Sequence, residues 1–312
     1  MTPPHALRRV PGLLPLFLTA LVARLSYGTV SLSMVLTVRH TTGSYAAVGA
    51  VLALFGLTAA ALGPVRAGLV ERHGVRRVLP PLAVLYCAGL AVLACAGPRW
   101  LPVAAALTGA VAPPVGPVVR ARWSELLGSG PLLERAFSVD AVAEELLYVA
   151  GPLLVALVGA GGGLLLTGVL LGTGVAGLAA LSPEPGRPGT ARGSVPGRVP
   201  GIGRPVLVAG AAGLALGAVS VLLVAVAAGS GALPWLEAAL AAGSAAGGLA
   251  HGAVRWRATA GARLTVAGAG LGLGVAALGC APDLGWLLAG VAFLGVFVSP
   301  GLAGASVGAD RR

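Results

Sequence analysis

Apolar residues run along this chain in blocks about one membrane span long, separated by arginines, prolines and glycines. A helix that crosses a bilayer needs about 20 mostly apolar residues, so the charges are the natural places to divide the chain. Thr41–Val65, Val78–Pro98 and Trp100–Val119 hold no acidic or basic residue and are each one span long. Leu146–Pro183 runs 38 residues without a charge. Gly159 to Gly163 near its middle predict a tight helical hairpin there. Pro205–Leu236 breaks at Gly229-Ser230-Gly231, and Ala238–Val254, Leu264–Pro282 and Leu284–Ala309 predict three further spans. With a first span at about Gly12–Val38, interrupted only by Arg24, the pattern predicts ten helices in an all-α polytopic membrane protein.

Composition supports the bilayer as solvent. The chain is 57% hydrophobic and 10% charged, whereas soluble domains carry about 25% charged residues. Its 50 glycines and 23 prolines would suit a disordered chain, but a mean hydropathy of +0.93 does not. The net charge of +11 comes from 21 arginines, no lysine and 10 acids. These arginines are spread between apolar blocks and form no basic face, which excludes nucleic acid as a partner and marks them as topology signals. With the N-terminus in the cytoplasm, 17 arginines lie in inside loops and tails, and only Arg39 and Arg99 lie outside. Both termini are therefore expected to be cytoplasmic, in the cell membrane. The apolar run after Arg8 and Arg9 is longer than a signal-peptide core and lacks a clear cleavage site, so it is read as the first helix.

Ser182–Arg204, rich in Pro, Gly and Arg, predicts a flexible cytoplasmic linker. The expected organisation is a six-helix half over 1–182, a linker over 183–204 and a four-helix half over 205–312. Cys87, Cys95 and Cys280 lie in apolar stretches, and His5, His40, His73 and His251 do not cluster. No disulfide framework, metal site, cofactor or histidine-based catalysis is indicated. The glycine runs at 159–163 and 268–274 lack a strand–turn–helix context, and no nucleophile motif appears, so no enzyme is expected. A membrane enzyme acting on lipid or isoprenoid substrates would need Asp, His or Asn clustered at one interface, and no such cluster occurs.

Between the second and third spans the chain reads Gly63-Pro64-Val65-Arg66-Ala67-Gly68-Leu69-Val70-Glu71-Arg72-His73-Gly74-Val75-Arg76-Arg77. This resembles the signature loop of the major facilitator superfamily, about G-x-L-x-D-R-x-G-R-R/K. Glu71, Arg72, Gly74, Arg76 and Arg77 match it; Ala67, beside Gly68, replaces the usual first Gly, and Glu71 replaces Asp. Gly74 is expected to close a turn of two to three residues, with the arginines at the cytoplasmic face. Pro113-Pro114-Val115-Gly116-Pro117, followed by Arg120-Ala121-Arg122-Trp123, resembles the proline-rich fourth helix of actinobacterial-type facilitators. Gly151-Pro152 resembles part of the antiporter pattern of the fifth helix, although Leu147 stands where one glycine is usual. Gly243 to Gly252 with Arg255 and Arg257 echoes the second helix and its basic loop, as a repeated half would; close helix packing through small residues explains it equally well.

The resemblance implies a transporter that works by alternating access on a small molecule, with Gly68, Glu71, Arg72, Gly74, Arg76 and Arg77 as a gating loop that latches onto the eleventh helix. It also implies Pro113, Pro114, Gly151 and Pro152 as packing or hinge positions. Facilitators have twelve helices and ten are predicted here, so the expectation includes a truncated form after the tenth, with a non-transporting scaffold or accessory protein as the alternative. Charges within spans are functional candidates by default. Arg24 would meet an anionic substrate group or carboxylate in a cavity, or pair with an acid on a neighbouring helix. Asp140 and Glu144, four apart, share a helix face, and Glu145 points about 100° away. They would either exchange protons that drive efflux or pair with Arg24, Arg120 or Arg122. Glu237 and Asp283 are expected at solvated outer ends. A largely apolar cavity with one arginine and a few acids would suit a small hydrophobic or amphiphilic substrate.

Overall fold

The computed structural model describes residues 12–128, 131–182, 231–253, 260–279 and 283–297, with single positions between 217 and 227. Regular structure among the described residues is entirely helical: α1 (Leu13–Thr42), α2 (Tyr45–His73), α3 (Val75–Cys95), α4 (Leu101–Ala110), α5 (Val115–Leu127), α6 (Pro131–Leu181), α7 (Leu233–Ala253), α8 (Ala260–Leu278) and α9 (Leu284–Val296). The chain forms two compact units, Met1–Gly193 and Ser194–Arg312. The expected linker over 183–204 and the part of the next span before 217 lie outside the described residues. Six stretches of the first unit are long and apolar enough to cross a membrane: α1, α2, α3, Leu101–Leu127 and the arms Val142–Gly159 and Gly161–Leu181 of α6.

Glycine sets two of the connections. The α2–α3 turn is shorter than the sequence predicts: Gly74 alone joins the helices, at φ 85° and ψ 155°. Its N–H donates to Val70 O at 2.8 Å and its carbonyl accepts from Val78 N at 3.2 Å, so one residue completes both helices. An L side chain is disfavoured at that φ and ψ by about 1–3 kcal/mol. Gly74→Ala should lower unfolding stability in detergent by that amount, and an unchanged midpoint would show that the turn carries no such constraint. Within α6, Gly159 (φ 73°, ψ 179°) leaves helical geometry and divides the helix into its two arms.

Helix α1 lies along both arms. On the first arm, Arg24 meets Asp140 and Gly28 meets Leu147 and Gly151, so the chain numbers rise together. On the second, Gly163 faces Ser33 and Gly177 faces Thr19, so they run in opposition. The arms are therefore antiparallel, as the hairpin pattern predicts. A Cβ on Gly28 would strike Leu147 O, and one on Gly151 would lie 2.7 Å from Gly28 Cα. Backbone this close requires small residues, which is how helices gain contact where the apolar solvent itself drives no association. Thr29 and Thr167 share a buried hydroxyl bond of 2.8 Å between the same elements.

The predicted fourth span does not form one continuous helix. Pro113, Pro114 and Pro117 each lack a backbone N–H, and α4 ends at Ala110 before α5 begins at Val115. In the second unit, α7 begins at Leu233, ahead of the Glu237 charge that marked a span end in the sequence. One carboxylate in a second helical turn does not end a helix. A Cβ on Gly243 or Gly247 would strike the α9 backbone at Ala292 or Val296, which gives this small-residue spacing a packing cause.

Candidate functional site

The charged candidates on α1 and α6 meet each other and a third helix. Arg24 projects from α1 and is 1% exposed, as is Asp140. Its Nη1 donates to Asp140 Oδ1, and its Nη2 donates to Oδ2 at 3.2 Å, a two-pronged pairing. Arg120 on α5 bridges the acids: Nε donates to Asp140 Oδ2 at 3.3 Å and Nη2 to Glu144 Oε2 at 2.9 Å. Arg24 Nη2 also lies 3.8 Å from Glu144 Oε2. A Cβ on Gly116, one turn before Arg120, would stand 3.4 Å from Arg24 Nη2, so the glycine leaves room for the guanidinium.

Two cations and two carboxylates thus balance, in a graded environment. The Arg24–Asp140 pair is enclosed, whereas Glu144 is 27% and Arg120 53% exposed. Helix α6 begins at Pro131. Both acids therefore lie more than two turns inside it, and the dipole of its N-terminus is too distant to explain them. Arg122 pairs instead with Glu125 on its own helix. The Glu145 side chain lies outside the described residues.

A second polar arrangement was not singled out from the sequence. The missing N–H groups of Pro113, Pro114 and Pro117 deprive the carbonyls of Gly109, Ala110 and Pro113 of their α-helical donors. Arg66 Nη1, from α2, donates to Gly109 O at 2.9 Å and Ala110 O at 2.6 Å, and its Nη2 donates to Ala59 O at 2.6 Å. Tyr27 Oη, from α1, donates to Pro113 O at 2.9 Å and accepts from Val115 N at 3.2 Å. These two side chains therefore supply donors where three prolines removed them, beside the backbone bonds from Ala112 N to Gly109 O at 3.2 Å and from Val115 N to Pro113 O at 2.9 Å. The proline spacing itself was the available signal, because buried carbonyls of a broken membrane helix require donors from neighbouring helices.

Beside this break lies a cavity of about 550 Å³ between α1, α2, α3 and the α4–α5 junction, lined by Val30, Phe55, Pro64 and Tyr86 with Tyr27 and Arg66. Arg24 is not among its lining residues. Pro113 and Pro114 form one wall, while buried Pro152 follows the Gly151 crossing. Of the loop residues, Gly68, Glu71 and Arg72 end α2, and Arg76 and Arg77 open α3. Glu71 and the three arginines are exposed in the first unit.

Asp283, exposed as expected, caps α9 by accepting from Trp286 N at 2.9 Å. Glu237 differs from its expected solvated position: Oε1 is buried, with no hydrogen-bond partner among the described residues. No group of three or more His, Cys, Asp or Glu side chains capable of holding a metal occurs among the described residues. Comparison with family models and with curated proteins finds no match.

Proposed function

We propose that the chain is a secondary active transporter of the major facilitator type, with its halves arranged as six and four helices. In this reading it exports a small molecule across the cell membrane by alternating access, with protons as coupling ion and both termini cytoplasmic. The loop from Gly63 to Arg77 and the inside bias of the arginines support it. The observation that carries it is the balanced network of Arg24, Asp140, Arg120 and Glu144 among apolar helices. Ionisable groups inside membrane spans are costly, and proton relays are one reason they are retained. A proton added to Glu144 would leave the network with one excess positive charge and free Arg120 from one acid.

Vesicles reconstituted with the full chain, given an imposed pH gradient and a panel of dyes and small metabolites, test this. The expected result is gradient-driven flux of at least one compound, lowered at least tenfold by Glu144→Gln in protein that inserts and elutes normally. No flux from a correctly inserted, folded chain would replace transport with the reading of a membrane scaffold or accessory protein.

A further inference from the structure

The two arginines of the first unit that are buried among the described residues differ in one respect. Arg24 is neutralised by Asp140, but Arg66, 6% exposed, has only carbonyl partners and no carboxylate within ion-pair distance among the described residues. A guanidinium carries five N–H donors. Three hydrogen bonds run to Gly109, Ala110 and Ala59, and Nε is buried with no partner among the described residues. A buried cation without an anion is expensive, more so among membrane helices. Arg66 also lines the 550 Å³ cavity, whose other walls are almost wholly apolar: Val30, Phe55, Pro64 and Tyr86. That volume falls in the range of about 300–1,000 Å³ typical of small-molecule sites, which combine apolar walls with a few orienting polar groups.

We propose that this cavity binds a small amphiphile with one anionic head on an apolar body, and that Arg66 is the head's counter-charge. The apolar body displaces no bound polar partner from the walls, and the head supplies the charge that the carbonyls cannot. Tyr27 Oη donates to Pro113 O at the α4–α5 break beside the cavity. Binding stands on this geometry alone. Only the step from bound ligand to exported cargo rests on the transport reading.

Equilibrium binding of radiolabelled decanoate to the full chain in phosphatidylcholine nanodiscs, with empty nanodiscs as background and decanol as the uncharged analogue, tests the proposal without measuring flux. Saturable decanoate binding is expected, weakened at least tenfold by Arg66→Gln and largely retained by Arg66→Lys. Decanol should bind equally to the unaltered chain and to Arg66→Gln. Ala59 also lines the cavity, so Ala59→Phe, which fills it and leaves Arg66 in place, should abolish binding of both, and it decides the question if Arg66→Gln does not fold. Phosphatidylglycerol in the nanodisc distinguishes the source of the anion: competition with decanoate points to a bilayer lipid, and no competition to a free amphiphile. The proposal is overturned by decanoate binding no greater than in empty nanodiscs, by undiminished binding in Ala59→Phe, or by equal affinity in Arg66→Gln.

Discussion

Arg24→Ala should be among the most destabilising single substitutions in the chain, at about 3–5 kcal/mol, because it leaves the Asp140 carboxylate buried without its closest cation. Both partners are 1% exposed, so water cannot take over the lost contact. Arg120 remains 3.3 Å from Asp140 Oδ2, but it is 53% exposed and reaches only that oxygen. Glu144→Gln should cost far less, within about 1 kcal/mol, since an exposed or half-exposed pair contributes little. The double substitution Arg24→Met with Asp140→Leu should recover most of the loss, because apolar residues of similar volume replace a buried pair at little cost. Denaturant unfolding in detergent micelles measures all four proteins. If Arg24→Ala proves no less stable than Glu144→Gln, the enclosed pair does not hold α1 to α6.

Gly151→Val is expected to be comparably damaging, for a steric reason. Its Cβ would lie 2.7 Å from Gly28 Cα and closer still to Gly28 carbonyl atoms. Backbone cannot swing aside as a side chain does, so α1 and α6 must separate. Overpacking a tight contact costs about 1–3 kcal/mol even where side chains alone must yield. Separation also pulls Arg24 away from Asp140, so Gly151→Val and Arg24→Ala should couple, with a double-mutant loss smaller than the sum of the two single losses. Gly161→Ala on the second arm is the control. A Cβ there meets nothing within 4 Å, and alanine is favoured over glycine in a helix by about 1 kcal/mol. Thermal denaturation should place Gly161→Ala at or above the unaltered chain and Gly151→Val well below it. Equal behaviour of the two would refute the close crossing.

The elements of the first unit were legible because a membrane span is a local property. About 20 apolar residues identify it, and transfer from water to lipid needs no knowledge of neighbours. The break at Gly159 was legible because a glycine cluster fell midway along an apolar run about twice a span long; the glycines at 268–274, within a run of one span, leave α8 unbroken. The i, i+4 spacing of Asp140 and Glu144 put them on one face before any partner was known. The interruption after Ala110 was written in Pro113, Pro114 and Pro117, but its consequence was not. Three carbonyls lose their α-helical donors, and only helix neighbours decide that Arg66 and Tyr27 bond to them.

Partner choice was the part that sequence could not carry. Arg24 and Asp140 are 116 residues apart, and Arg120 and Arg122 are equally suited to Asp140 by composition. Helix rotation sends Arg120 to the acids of α6 and leaves Arg122 with Glu125 on its own helix. The same rotation makes Arg24 a neutralised member of a network and puts Arg66 against the cavity. Which segments prefer lipid, and where they break, follows from transfer free energy and backbone chemistry along the chain and so is readable from residue order alone. Which of the two buried arginines among the described residues meets a carboxylate follows from distances between helices, which composition does not encode.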